Sequence, residues 1–504
     1  MQLYNIIRCL KTEKRVRFFS INTLNSLFFF LSLTSLSCSK LVEVPPPITL
    51  TDASQVYSDD SKAAAVLTSI YNNISQNTIT AGGITSLSFY TALSSDELAL
   101  FNPSSQIDKL KVAFYSNSLS STMNVDYWTA CYPLIFTANS AIEGLMRASF
   151  LTAEVKQQLI GEAKFIRAFC FFYLTNLYGA VPLPLTTNYK INGLLPRTPS
   201  EEVYKQIISD LKDAELLLKS DYVDASTKSS TNERVRPNKW ATKALLARAY
   251  LYMQDYKNAE AKATEVIEQS TLYGLAPLAN VFQKNSIEAI WQLQPVRAGQ
   301  NTSEATLYIL PPTGPDVNDT HPVYLSNGLA NSFESGDNRE NIWIGSIAAG
   351  GIVFHFPYKY KINVPNAPVS EYLMVLRLGE QYLIRAEARA HEDNIVGAIN
   401  DLNVLRSRAR GDQNPSNQNP LPDLSSSLSK DAALNAVYQE RRVELFAEWG
   451  HRWFDLKRTG RVNEVMKTVT DLKGGSWNSN LQWYPVPLKQ LQLNPNVIQN
   501  DGYN

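Results

Sequence analysis

The sequence predicts a mainly α fold, a scaffold of repeated helix pairs that carries an irregular lobe with short strands. Three observations lead there. Residues 161–178 (GEAKFIRAFCFFYLTNLY) are apolar nearly all round, the pattern of a helix buried on every side. Two later segments read as similar helix hairpins. Between them, over about 271–372, the helical period gives way to short apolar runs punctuated by Gly, Pro and Asn.

In chain order, the first helix is expected near Lys62–Asn73 and a less regular Ser/Asn-rich stretch over about 74–125. Helices follow at Tyr127–Ala148, Thr152–Tyr178 and Ser200–Ser220. Gly179 ends the second of these, and Pro182 and Pro184 prevent its continuation. The third opens on Thr198-Pro199-Ser200-Glu201, with a hydroxyl cap and acids in the first turn, and Val203, Ile207, Leu211 and Ala214 form its apolar stripe. Trp240–Met253 and Lys257–Ser270 make the first hairpin, Val375–Ala390 and Ile395–Ala409 the second. They align if the second turn is two residues longer. Their length, near 34 residues, and their small and Tyr positions are similar to tetratricopeptide units, which stack on neighbours to bury their faces. In the lobe, Ser286–Gln292 and Ile352–Tyr360 read as strands.

The 504 residues hold 47 Lys+Arg and 47 Asp+Glu, a zero balance that disfavours a nucleic-acid partner. The balance is uneven along the chain. Arg8, Lys11, Lys14, Arg15 and Arg17, against Glu13 alone, precede the apolar run LFFFLSLTSL and then Cys38. That run is too short to span a bilayer and reads as the core of a signal peptide over residues 1–37. With Ser35 and Ser37 before Cys38 it resembles a bacterial lipoprotein signal, which implies Cys38 as the lipidated first residue, ordinary secretory cleavage nearby being the alternative. A Pro-rich tether over 41–56 leads into the fold. No C-x-x-C, H-E-x-x-H, phosphate-binding glycine loop or G-x-S-x-G occurs, so no cofactor, metal or nucleophilic Ser site is expected. Cys131 and Cys170 read as buried small hydrophobes, with a disulfide left open.

Seven segments in order resemble the SusD/RagB-like family of nutrient-binding outer-membrane lipoproteins. They are EAKFIRAFCFFYLTNLYGAVPLP (162–184), EVYKQIISDLKDA (202–214), KWATKALLARAYLY (239–252), FESGDNR (333–339), VLRLGEQYLIRAEA (375–388), ERRVELFAEWGHRWFDLKR (440–458), and WYPVP (483–487) with QNDGY (499–503). The resemblance covers residues 38–504, read as an N-terminal region 38–225 and a C-terminal region 226–504 of one fold. It implies a non-enzymatic binding protein, lipid-anchored at the outer membrane and exposed at the cell surface. Such a protein captures oligosaccharide or peptide and delivers it by hinged closure over a SusC-like TonB-dependent transporter. Glycan is favoured over peptide by the family alone. A repeat-based protein–protein adaptor and a glycoside hydrolase remain as alternatives.

The acids of the 440–458 segment have a structural reading. On an expected single helix, Glu448 and Arg452 stand i,i+4, as do Glu444 and Glu448, while Asp455 and Arg458 stand i,i+3. These suit a buried charge network better than a catalytic acid–base pair. Trp240, Trp449 and Trp453 read as core, and Asp337 and Arg339 as a cap and a loop pair. The resemblance implies a shallow ligand site made by loops of 74–125 and 271–345. Sugars are held by stacking on aromatic faces and by hydrogen bonds to hydroxyls. The candidates are therefore Tyr90, Asp96, Phe101 and Asn102 in the first stretch, and Tyr308, His321 and Tyr324 in the lobe.

Overall fold

The computed structural model describes residues 56–76, 86–123, 127–318, 320–410 and 420–503. The expected signal peptide, Cys38 and nearly all of the expected tether lie outside them. The first helix, α1 (Asp60–Gln76), is followed by α2 (Leu87–Ser94), β1 (Leu98–Leu100) and α3 (Lys109–Tyr115). The stretch expected to be irregular thus holds two helices. Each has a legible cap: Ser86 accepts from the Phe89 N–H, and Asp108 from the Leu110 N–H.

The scaffold is built on α4 (Tyr127–Arg147), α5 (Ala153–Tyr178), α6 (Ser200–Leu217), α7 (Lys239–Tyr252) and α8 (Tyr256–Ile267). Residues 165–175 of α5 are all buried, as the apolar pattern requires. Its one charged residue there, Arg167, is met by Asp210 of α6 at 2.6 and 2.8 Å and by Asn139 of α4 at 2.7 Å. Gly179 takes φ +74° and ends the helix, its N–H bonded to Thr175 O at 2.9 Å. Helices α4 to α8 pack each against the next.

The stack continues across the lobe, α8 packing on α11 (Leu378–His391), which packs on α12 (Ile395–Arg410) and α13 (Lys430–Glu444). The two turns are of equal length. Three residues separate Tyr252 from Tyr256 and three separate His391 from Ile395. Ala247, Ala249 and Ala259 therefore correspond to Ala386, Ala388 and Ala398. The shared Arg-Ala pairs at 248 and 385 point to a false offset of two. His391 stacks on Tyr256 (centroids 4.0 Å, 9°), and Arg389 bonds Glu260 at 2.6 Å, fastening one hairpin to the other.

The lobe contains β2 (Ala289–Leu293), α9 (Ser303–Tyr308), β3 (Val323–Leu325), α10 (Asn338–Trp343), β4 (Ile344–Ala349), β5 (Ile352–Pro357) and β6 (Leu373–Arg377). Among the described residues the sheets are antiparallel pairs, one of them joining the lobe to β1: β1 with β3, β2 with β6, β4 with β5. Gly350 and Gly351, both at positive φ, make the two-residue turn between β4 and β5. Residues Val375–Arg377, expected to open a helix, belong to β6. The fully buried β2 needs a paired edge, and the Leu373–Arg377 run supplies it.

The expected single helix over 440–458 is broken as well. α13 ends at Glu444 and α14 (His451–Arg458) begins at His451, with Ala447, Trp449 and Gly450 at positive φ between them. Glu448 and Arg452 are therefore not one helix's i,i+4 pair. Arg452 bonds Asp96, and Glu448 bonds Arg377 and Lys359. The Asp455–Arg458 pair is present at 2.8 Å. Trp449 and Trp453 are core, Trp240 half-buried, and Asp337 caps α10 while bonding Arg339 at 2.7 Å. Cys131 and Cys170 are both buried and share no disulfide.

Candidate functional site

The pairing of β1 with β3 decides what meets what. Ala99 stands opposite Tyr324, and the Phe101 N–H bonds Pro322 O at 2.8 Å. The end of the 74–125 stretch is thereby joined to the lobe. Along β5 the side chains alternate, with Phe354 and Phe356 turned inward and His355 between them, its Nδ1 2.8 Å from Ser346 Oγ. Phe101 and Tyr324 both lean edge-on against Phe354, at 5.9 and 5.1 Å between centroids. Leu310 and Phe356 complete the buried floor, with Phe101 and Tyr324 half-buried above it.

Polar groups border this cluster. Asn102 is exposed, in the left-handed conformation (φ 42°), and its carbonyl accepts from Ser105. Gln106 donates to the carbonyls of Phe101 and Asp316, tying the Phe101 turn to the loop before His321. That loop closes on itself: Asp316 N–H bonds His321 O at 3.0 Å, and the Asp316 carboxylate accepts from Asn318 N–H and Thr320 Oγ1. Burial lowers the His321 imidazole below its usual range, Asp316 opposing at 3.9 Å, so the ring is neutral at pH 7.

Of the seven expected ligand residues, Phe101 and Tyr324 meet on Phe354, while Asn102 directly follows Phe101 and His321 lies on the loop leading into β3. The other three are interior. Tyr90 is on α2, 2% exposed, its ring 4.2 Å from Phe114. Asp96 is bonded by Arg452 at 2.7 and 2.8 Å and by Arg442 at 2.9 Å. Burial raises its carboxyl, but the two guanidiniums outweigh that and hold it at about 2. Tyr308 is 3% exposed and its hydroxyl lacks a partner. An aromatic or acid in a Ser/Asn-rich segment looked like loop chemistry; α2 and the Asp96 ion pairs turn Tyr90 and Asp96 into core. Phe354 and Phe356 were missed, although the alternation in IVFHFPYKY marks them as one face of a strand.

The acids that a hydrolase reading needs are committed elsewhere. Glu444, fully buried, bonds Arg339 at 2.8 Å and Arg377 at 2.6 Å and pairs with Arg408. Burial raises its carboxyl, yet Arg408, Arg377 and Arg339 outweigh that and hold it well below the carboxylate range. Asp455 is likewise held down by Arg441 and Arg458 against its burial. A group so paired is neither a proton donor near neutrality nor open to a substrate. The aromatic cluster can stack on the apolar face of a ring and offer hydrogen bonds at its edge.

Comparison with known proteins agrees with this architecture. A model of the SusD family matches residues 298–503, and one described as starch-binding associating with outer membrane matches residues 50–251. SusD-like protein P25 of Formosa agariphila is 26% identical, over 95% of this chain and 98% of that protein. Starch-binding protein SusD of Bacteroides thetaiotaomicron is 30% identical over 26% of this chain and 21% of its own. A SusD superfamily structure from Bacteroides vulgatus superposes with a TM-score of 0.74 at 19% identity, covering 88% of this chain and 99% of that one. A laminarin binding SusD-like protein does so with 0.69 at 22%, covering 89% and 100%. With the two models spanning both halves and a relative matching nearly end to end, the chain belongs to the SusD/RagB family.

Proposed function

We propose that this protein is a glycan-binding lipoprotein of the outer membrane, anchored through Cys38 at the cell surface. It hands oligosaccharide to a SusC-like TonB-dependent transporter and cuts no bond. The observation that carries this reading is the half-buried Phe101–Tyr324 pair on Phe354, bordered by Asn102 and His321. Ring edges and faces of this kind suit sugar CH groups, and amide and imidazole groups suit hydroxyls. Membership of a family whose model is described as starch-binding, and likeness to a laminarin binding protein, favour glycan over peptide. The arginine-locked acids favour binding without hydrolysis.

The test is Phe101→Ala with Tyr324→Ala. Both side chains are partly exposed, so the fold is expected to survive, with unchanged circular dichroism. Affinity for a bound oligosaccharide is expected to fall by about 2–4 kcal/mol, the scale of losing two stacking rings. Unchanged affinity sinks this site. Release of shorter sugars from the glycan sinks the non-catalytic reading.

A further inference from the structure

A groove of about 1160 Å³ runs beside α1, between that helix, the segment 223–236 and the chain leaving β2 at 293–296. It shares no described lining residue with the aromatic cluster. On the helix side Ser61, Ala65, Thr68 and Asn72 recur at helical spacing and are exposed. Ser75 Oγ donates to Gln294 O at 2.7 Å, pinning the end of α1 to the strand end, so this wall is fixed before anything binds.

The floor carries a polar imbalance. Arg236, 4% exposed, reaches Thr68 Oγ1, Ala64 O and Glu162 Oε2 only at 3.5 Å, the outer limit of a hydrogen bond. Its Nε has no partner. Glu162 is better served by others, the Tyr71 hydroxyl at 2.7 Å and Gln158 Nε2 at 2.9 Å. On the same groove Glu233 bonds Lys284 through Oε1 at 2.9 Å, while its Oε2 has no partner. Arg236 Nε and Glu233 Oε2, both shut off from solvent just beneath the groove, are thus left over, each a cost that a ligand reaching them after a small side-chain shift would remove. An anion would meet Glu162 and Glu233, and a cation would meet Arg236. A hydroxyl both donates and accepts, and Tyr71, Val235 and Pro295 give it an apolar wall. The volume exceeds that of an ordinary single-molecule pocket, which points to an oligomer.

We propose that this groove is a second oligosaccharide site, selective for neutral sugars and using Arg236 and Glu233 as its hydrogen-bonding pair. It rests on the reading that the protein binds glycan. The experiment is calorimetric titration of the mature chain with maltohexaose and with laminarihexaose. Four proteins are compared: the natural chain, Phe101→Ala/Tyr324→Ala, Thr68→Trp, and the three changes combined. Thr68 is exposed on α1, so a Trp there fills the groove without opening the core. Arg236→Lys, which keeps the charge but loses the Nε donor, is the second probe.

The expected result is residual binding in Phe101→Ala/Tyr324→Ala that weakens about tenfold or more when Thr68→Trp or Arg236→Lys is added. Binding by the natural chain that vanishes in Phe101→Ala/Tyr324→Ala overturns the groove and leaves the aromatic site standing. Residual binding indifferent to both groove changes also overturns it. If neither glucan binds the natural chain, both readings fall.

Discussion

Two buried titratable residues define opposite pH dependences. Glu304 sits in the first turn of α9, 3% exposed; burial pushes its carboxyl up to about 7, opposed only by its own backbone N–H. Its folded pKa lies above the unfolded one. The stability it contributes is therefore present below the usual carboxyl range and is lost as pH rises through about 7. Glu304→Gln is expected to raise the Tm at pH 8, by the equivalent of about 3 kcal/mol, and to change it little at pH 4. Thermal melts of the two proteins across that range check this. His451 behaves in the opposite sense. Burial, aided by the charges of Arg248, Arg441, Arg377 and Lys359, holds its imidazole well below the usual range. The neutral ring's contribution is present above the unfolded value and is lost as pH falls below about 6.5. His451→Gln is expected to flatten the fall in Tm between pH 7 and pH 5; an undiminished fall counts against the assignment.

At the scale of elements, the junction of scaffold and lobe is electrostatic. Glu444 at the end of α13 gathers Arg339 of α10, Arg377 of β6 and Arg408 of α12. Removing it leaves three buried guanidiniums short of a partner, so Glu444→Ala is expected to cost about 3–5 kcal/mol in chemical denaturation. A cost under ~1 kcal/mol would place the network's weight elsewhere. Acids on this segment were readable as structural, but their partners were not. The periodicity of 440–458 continues across the break, whereas the backbone turns over at Ala447, Trp449 and Gly450 to bury Trp449 between Phe169 and Tyr173. Long helices such as α5 were legible because burial on all sides leaves its mark on every residue. β6 and α2 were not, because what sets them is a partner distant in sequence: β2 for the first, and for the second the core around Phe114 and Tyr484. The candidate site divides in the same way. Phe101 and Tyr324 were named from residue type, while their meeting depends on the β1–β3 pairing, which no local pattern announces.

At the scale of the molecule, stacked helices α4 to α8 and α11 to α13 form a frame, and strands more than 200 residues apart in the sequence pair to hold the aromatic cluster. Such a division places recognition on connecting segments and stability in the frame. The family match spans both parts, so the fold is shared. The most direct test is an oligosaccharide titration of the mature protein beside Phe101→Ala/Tyr324→Ala, with the sugars recovered afterwards and analysed for cleavage. The account predicts binding to the natural chain, a marked loss in the variant with its Tm retained, and sugars returned intact. Equal affinity in the two proteins, or shortened sugars, would contradict it.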